Sequence, residues 1–341
     1  MIELVRGLLA ADVPILLWGA PGTGKTASLL AEAEALGAYV EVLIGSTLDP
    51  LDVGGYLVPR ENGVVSVPPP WAKRLHAAIL AGKVAWLLLD ELSCAPPSVQ
   101  AALLRVVHER RVGELDLRGC RVVAAANPGE TAADGGDLSA ATANRWAHLD
   151  WVVDVAAWSA GTLRNWGAGH GTAKASALAA SVAAFVQRHP KALLAVPEHL
   201  SQAGRAWPSP RSWTAAISAA SAAPDIYTLR LVASCVGDGV ASEWHAYHLE
   251  RDLPDPEAVL SGKAALPNRG DRVAATLSSV VAAALATRED RTTRVARAWE
   301  ILISTRADIA VTAARALLDA TDGVPVIAES YAARLQSGGV A

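Results

Sequence analysis

The chain has 341 residues, 52% of them hydrophobic and 19% charged, with a formal net charge of −4. That length suits one large or two to three smaller domains with a substantial core. The slightly acidic balance, with no basic block, counts against a protein held mainly by nucleic-acid phosphates.

The N-terminus carries Glu3 and Arg6 and lacks a signal-peptide layout. The first strand is predicted over Val13–Trp18 and runs directly into Gly19-Ala20-Pro21-Gly22-Thr23-Gly24-Lys25-Thr26. That is the G-x-x-x-x-G-K-[ST] pattern between a strand and a helix, here Thr26–Leu36, which a phosphate-binding loop requires. Glycines let successive backbone N–H groups turn inward as an anion nest. The following helix adds its positive N-terminal end. Lys25 reaches for β- and γ-phosphates, and the Thr26 hydroxyl suits Mg²⁺. The plain alternative is a glycine-rich surface turn.

A second strand follows at Tyr39–Ile44, then a hairpin over Tyr56–Val67 with Asn62-Gly63 at its turn. After a helix at Trp71–Ala81 comes the apolar strand Val84–Leu89, ending in Asp90-Glu91. An apolar strand closed by two carboxylates has the shape of a Walker B motif. Asp90 would hold Mg²⁺, and Glu91 would polarise the attacking water. A helix at Pro97–Glu109 and a short hairpin within Arg111–Gly119 lead to the fourth strand, Arg121–Ala126. Asn127, at its end, would lie in the ligand crevice that the strand C-termini of a parallel sheet line; otherwise it is a turn Asn before Pro128. Arg145 sits in a polar loop before the fifth strand, His148–Val153, where a solvent-facing Arg is the alternative. Strands alternating with helices argue an α/β fold with a parallel sheet.

After about residue 155 the pattern turns helical and Ala-rich, with helices at Thr172–His189, Ser212–Ala222, Ile226–Ser234 and Ala241–Leu249. Arg211, in Trp207-Pro208-Ser209-Pro210-Arg211-Ser212-Trp213, falls at a helix N-terminus or stacks between the two indoles. Asp252–Arg272 reads as a linker or long loop. Helices are then expected at Asp271–Thr287 and Asp290–Asp319. The apolar run Val273–Ala286 falls short of the ~20 residues needed to span a bilayer and holds Thr276, Ser278 and Ser279, so a buried helix is expected. Cys94, Cys120 and Cys235 give neither a disulfide framework nor a metal pattern. A cytoplasmic protein is the default expectation, and the Trp residues are mostly assigned to the core.

Over about residues 10–220 the chain resembles the AAA+ ATPases, most closely their MoxR-like, helix-2-insert branch. The resemblance rests on Gly19–Thr26, on Leu88-Leu89-Asp90-Glu91 continuing into Ala95-Pro96-Pro97-Ser98-Val99-Gln100-Ala101-Ala102-Leu103-Leu104, and on Ala126-Asn127-Pro128. It continues through Leu138–Trp146 and Pro208-Ser209-Pro210-Arg211. It implies a P-loop three-layer αβα domain over 1–155, a helical lid over 156–250 and a helical extension over 251–341. It makes Asn127 sensor 1, Arg145 an arginine finger reaching the neighbouring subunit's nucleotide, and Arg211 sensor 2. It turns the hairpins at Tyr56–Val67 and Arg111–Gly119 toward a ring's central pore, with Tyr56 as a pore aromatic or a base-packing residue. ATP and Mg²⁺ are the implied cofactors. A ring, a hexamer, is the implied assembly, and a protein partner, such as one with a von Willebrand factor A domain, is the implied target. Two departures stand out: Leu92-Ser93-Cys94 where a polar or basic residue often follows the acidic pair, and Arg145-Trp146 where Arg-Phe is usual. The tail beyond Leu249 matches nothing in the family pattern. Two further readings stay open: a nucleic-acid-dependent motor or restriction-type NTPase on the same fold, and a nucleotide-gated scaffold with little turnover.

Overall fold

The computed structural model describes residues 1–61, 63–129, 138–197, 200–249, 253–286 and 290–320. They divide into a first unit, Met1–Val152, and a second that begins at Val153.

The first unit runs α1 (Ile2–Ala10), β1 (Ile15–Trp18), α2 (Lys25–Ala35), β2 (Tyr39–Ile44), α3 (Pro50–Gly54), β3 (Tyr56–Arg60), β4 (Gly63–Val67), α4 (Pro70–Leu80), β5 (Ala85–Asp90), α5 (Pro97–Glu109), β6 (Arg111–Val112), β7 (Leu115–Asp116), β8 (Cys120–Ala126), α6 (Ala140–Ala143) and β9 (Ala147–Asp150). Five strands form one parallel sheet in the order β2-β5-β8-β1-β9. Successive strand residues point to opposite faces, and the apolar runs of the three central strands, β5, β8 and β1, are buried on both. Ile15, Leu17, Trp86, Leu88 and Val123 pack with Val5 and Leu9 of α1 and Leu29 and Ala33 of α2. Leu16, Leu87, Leu89, Val122 and Ala124 pack on the other side with Trp71 and Leu75 of α4 and Val99, Leu103 and Val106 of α5. The result is the three-layer αβα arrangement expected.

The five strands fall where the apolar runs lie, with bounds shifted by up to three residues: the first starts at Ile15, not Val13. Asp90 is the last residue of β5, and the fifth strand stops at Asp150, short of Val153. The Tyr56–Val67 hairpin pairs Tyr56 with Val67 and Arg60 with Gly63; Asn62, expected at its turn, lies outside the described residues. The second hairpin has only two residues per strand. The N-terminal helix α1 was not anticipated. Its Arg6 holds Glu32 of α2 through two hydrogen bonds, of 2.7 and 2.9 Å.

The second unit is helical: α7 (Val155–Leu163), α8 (Ala173–Arg188), α9 (Leu200–Ala203), α10 (Pro210–Ala222), α11 (Thr228–Val236), α12 (Asp238–Leu249), α13 (Pro256–Leu260), α14 (Gly270–Ala286), α15 (Arg291–Ile303) and α16 (Ala307–Asp319). One core gathers Phe185, Trp213 and Trp244 from α8, α10 and α12. Another joins α7 and α8 to α13–α16. The expected lid and extension meet near residue 250, and helices on both sides of that point share this second core.

Two expectations are corrected. The stretch Asp252–Arg272 is not all loop: Asp255 caps α13, which buries Val259 and Leu260. The single helix expected over Asp290–Asp319 is two. Ser304 and Thr305 turn their hydroxyls back onto the Ile301 carbonyl, each at 2.8 Å, and the chain breaks there. The run Val273–Ala286 lies in α14, largely buried. No helix among the described residues is long and apolar enough to cross a membrane.

Candidate functional site

Each piece of the site leaves the C-terminal end of a parallel strand. β1 ends at Trp18, and the Gly19 N–H bonds the Ala126 carbonyl of β8 at 3.3 Å, so the loop departs beside its neighbour strand. Gly24, at φ 92°, takes a backbone conformation that a side chain would oppose, and it hands the chain to α2. The Thr23 hydroxyl donates to the Ala20 carbonyl at 2.8 Å and closes the loop on itself. No acidic residue and no side-chain cap occupies the first turn of α2. Its N-terminal N–H groups are therefore open to an anion.

Lys25 is 7% exposed, its ammonium folded into the loop. It donates to the carbonyls of Gly19 at 2.6 Å and Ala20 at 3.0 Å, and to Asn127 Oδ1 at 2.9 Å. Asn127 follows β8, the strand lying between β1 and β5. That order puts it beside both the loop and the carboxylates. Thr26 Oγ1 donates to Asp90 Oδ2 at 2.9 Å, while Asp90 Oδ1 accepts the Glu91 N–H at 3.0 Å. Glu91 has φ 53° and accepts a hydrogen bond from the Ser46 hydroxyl. Lys25, Thr26, Asp90, Glu91 and Asn127 thus converge, and Gly19–Gly24 wrap the same place.

Two residues of this site escaped the sequence reading. Ser46 follows β2, the strand next to β5. It was legible in principle as a polar residue at a parallel-strand terminus. Gly45 before it is a close-approach glycine: a Cβ there would stand 2.7 Å from the Glu91 carbonyl oxygen. Ser93, seen in the sequence only as a departure from a pattern, is 2% exposed and grips Asn127. Its hydroxyl donates to the Asn127 carbonyl at 3.0 Å and accepts the Asn127 N–H at 3.3 Å.

Neither arginine makes a hydrogen bond to this cluster among the described residues. Arg145 follows α6, and its guanidinium donates to the Ala141 carbonyl of that helix. Its Nε is buried without a hydrogen-bond partner. Arg211 belongs to the second unit, in the first turn of α10, and is exposed. Trp213 is fully buried and donates its indole N–H to the Ala192 carbonyl at 2.8 Å, so the guanidinium is not sandwiched against it. Tyr56 opens the hairpin opposite Val67 and is 44% exposed, with its hydroxyl 3.3 Å from Asp52. None of the three cysteines forms a disulfide. Burial pushes the Cys120 thiol up to about 12, which makes it a poor nucleophile.

The donor set fits a magnesium nucleotide. A hydroxyl and a carboxylate held 2.9 Å apart are hard oxygen donors. No group of three or more metal-ligating His, Cys, Asp or Glu side chains occurs among the described residues. One or two protein oxygens, with phosphate and water for the rest, is the usual way Mg²⁺ binds. A phosphate would meet the Lys25 ammonium and the helix N-terminus at the mouth of the loop.

Sheet order, loop and strand-end carboxylates together define a P-loop fold of the AAA+ type. Residues 14–146 match the family model described as AAA domain (dynein-related subfamily). Among solved structures, the chain is similar to the Holliday junction branch migration motor RuvB of Thermotoga maritima, at 17% identity, covering 81% of this chain and 80% of that one, with a TM-score of 0.37. A candidate ATPase from Cytophaga hutchinsonii aligns at 15% identity over 99% of this chain and 87% of its own, with a TM-score of 0.34.

Proposed function

We propose that the chain is an ATP-hydrolysing ring machine that remodels or activates a protein partner, in the manner of MoxR-like chaperones. The convergence of Lys25, Thr26, Asp90, Glu91 and Asn127 at adjoining strand ends carries the reading. Lys25 and the N–H groups of Gly22–Thr26 bind the β- and γ-phosphates. Thr26 and Asp90 hold Mg²⁺, which, when bound, offsets phosphate charge. Glu91 draws a proton from the attacking water, and Asn127, fixed by Ser93, orients that water against the γ-phosphate. Arg145 makes no hydrogen bond within its own chain's cluster, which suits a group that serves a neighbour's site. A guanidinium matches the charge that develops on the γ-phosphoryl oxygens. Arg211, exposed on the lid, keeps the nucleotide-sensing role that the resemblance gives it.

Assembly into a ring is tested by phosphate release from ATP with Mg²⁺ over a wide range of protein concentration. A site completed by a neighbour gives a specific activity that climbs with concentration as subunits associate. A specific activity that stays flat, in protein that sizes as a monomer, rules the ring reading out.

The hairpin of β3 and β4 favours a protein partner over nucleic acid. Leu57 is 72% and Val64 65% exposed, and Arg60 and Glu61 nearly cancel in charge. Contiguous exposed apolar side chains mark protein contact surfaces. A partner with a von Willebrand factor A domain is the class that the resemblance suggests. Replacing residues 60–64 with a Gly-Ser turn is expected to leave basal ATPase within roughly twofold, since surface loop changes seldom disturb a distant rigid site. Stimulation by the partner should fall much further. Light scattering with ATP is the control: if the ring falls apart, the hairpin is an assembly element instead. Stimulation by DNA in place of protein would favour the motor reading.

A further inference from the structure

We infer that His148 is a positioning residue that ties the strand feeding the phosphate loop to the turn carrying Arg145; this rests on the ring reading above. His148 lies on β9, paired in register with Leu16 of β1, while Trp18 pairs with Asp150. Trp18 and His148 therefore share one face of the sheet on neighbouring strands. Their rings lie edge to edge, with centroids 6.1 Å apart and planes 8° from parallel, as an in-plane N–H···N hydrogen bond requires.

The hydrogen bonds fix the state of the imidazole. The Trp18 indole nitrogen stands 2.7 Å from His148 Nδ1. An indole N–H can only donate, so Nδ1 carries the lone pair. His148 Nε2 stands 2.8 Å from the Ala143 carbonyl oxygen. A carbonyl can only accept, so Nε2 carries the proton. One species satisfies both contacts: the neutral ring protonated on Nε2.

Both ends of this bridge are well placed. Trp18 is bonded to Gly19, the first residue of the phosphate loop, and its carbonyl accepts the Trp151 N–H at 2.6 Å. Ala143 closes α6, a helix of four residues, and Arg145 comes two residues later. So short a helix has little stability of its own and takes its orientation from outside contacts. The Ala143 carbonyl also receives the Trp146 N–H at 3.2 Å, and the Arg145 N–H bonds the Thr142 carbonyl at 3.2 Å. His148 thus holds the carbonyl around which the Arg145 turn is built. The path Gly19–Trp18–His148–Ala143–Arg145 is short, lies within the first unit, and joins two stretches of covalent chain through two hydrogen bonds with fixed donors. Through it a shift of a subunit's own phosphate loop re-aims the arginine that the subunit offers to its neighbour.

Spatial connection alone does not establish coupling, so the test is a double-mutant cycle. ATPase at saturating ATP is measured on the assembled protein for wild type, His148→Phe, Arg145→Ala and the double variant. His148→Phe keeps a planar ring at the position but removes both hydrogen bonds. It is expected to lower kcat by about three- to thirtyfold, the range of coupling energies along such networks, with KM for ATP little changed. In the Arg145→Ala background it should cost nothing more. His148→Gln, whose amide both accepts and donates, should recover most of the rate. Trp18→Phe breaks the same bridge from the other side and should reproduce the partial loss, which guards against misfolding of one variant. An equal loss from His148→Phe with and without Arg145, or no recovery by Gln, overturns the bridge and leaves His148 a packing residue. If Arg145→Ala itself costs nothing, the ring reading has failed, and that result is separate from an additive cycle.

Discussion

Lys25→Ala is expected to abolish productive nucleotide binding, whereas Glu91→Gln keeps ATP bound and stops turnover. The division follows from what each group can touch. The Lys25 ammonium sits among the Gly19 and Ala20 carbonyls and Asn127, at the mouth of the anion nest, so its charge acts on phosphate in every bound state. Glu91 follows Asp90 in the chain, held by Ser46, and in the proposed mechanism it acts only on water. A group used only in the transition state changes kcat and spares binding. Loss of a general base typically costs about 10²–10⁴ in rate. Equilibrium binding of a fluorescent ATP analogue to both variants, beside steady-state phosphate release, checks the pair. Normal turnover by Glu91→Gln would remove Glu91 from the catalytic role. Because Lys25→Ala also strips a donor from three acceptors, its melting curve should be recorded, so that lost binding is not confused with lost folding.

Arg145→Ala is expected to bind ATP yet hydrolyse it some 10³–10⁵ times more slowly, the range that arginine fingers command. Activity should partly return when it is mixed with an equal amount of Lys25→Ala protein. In a mixed ring, Lys25→Ala subunits present an intact Arg145 to neighbours whose own phosphate loop is intact. Neither variant alone has a complete site. Subunit exchange can be verified by labelling the two variants. If exchange occurs and no activity returns, Arg145 does not act across the boundary.

The sheet and its ligand-binding end were legible because their signals are local. The strands Ile15–Trp18 and Ala85–Asp90 are short apolar runs buried on both faces, with no polar residue before the Asp90 that closes the second. The phosphate loop is a contiguous string whose glycines and lysine have one joint use. The strand order was not legible. That β8 lies between β1 and β5, and so brings Asn127 to Lys25, is a matter of long-range pairing. Ser46 and Ser93 were missed for the same reason. Each is an ordinary serine in sequence and gains a role only through Glu91 or Asn127, which pairing brings near. The helical unit misled where side chains compete with the backbone. Ser304 and Thr305 look helix-compatible inside an apolar period, yet α15 ends at Ile303, and both hydroxyls turn back onto the Ile301 carbonyl. Asp255 does the opposite, starting a helix inside a Pro- and Gly-rich stretch.

Glu91 stands at φ 53°, in the left-handed region that glycine enters freely and other residues enter at a cost of about 1 kcal/mol or more. The residue proposed to activate water is therefore also a small reservoir of conformational tension at the end of β5. Heat tolerance and speed pull in opposite directions here. Laboratory selection for resistance to heat alone would drift toward glycine or asparagine at this position. It would thereby enrich forms of the chain that grip their nucleotide and never let the cycle advance.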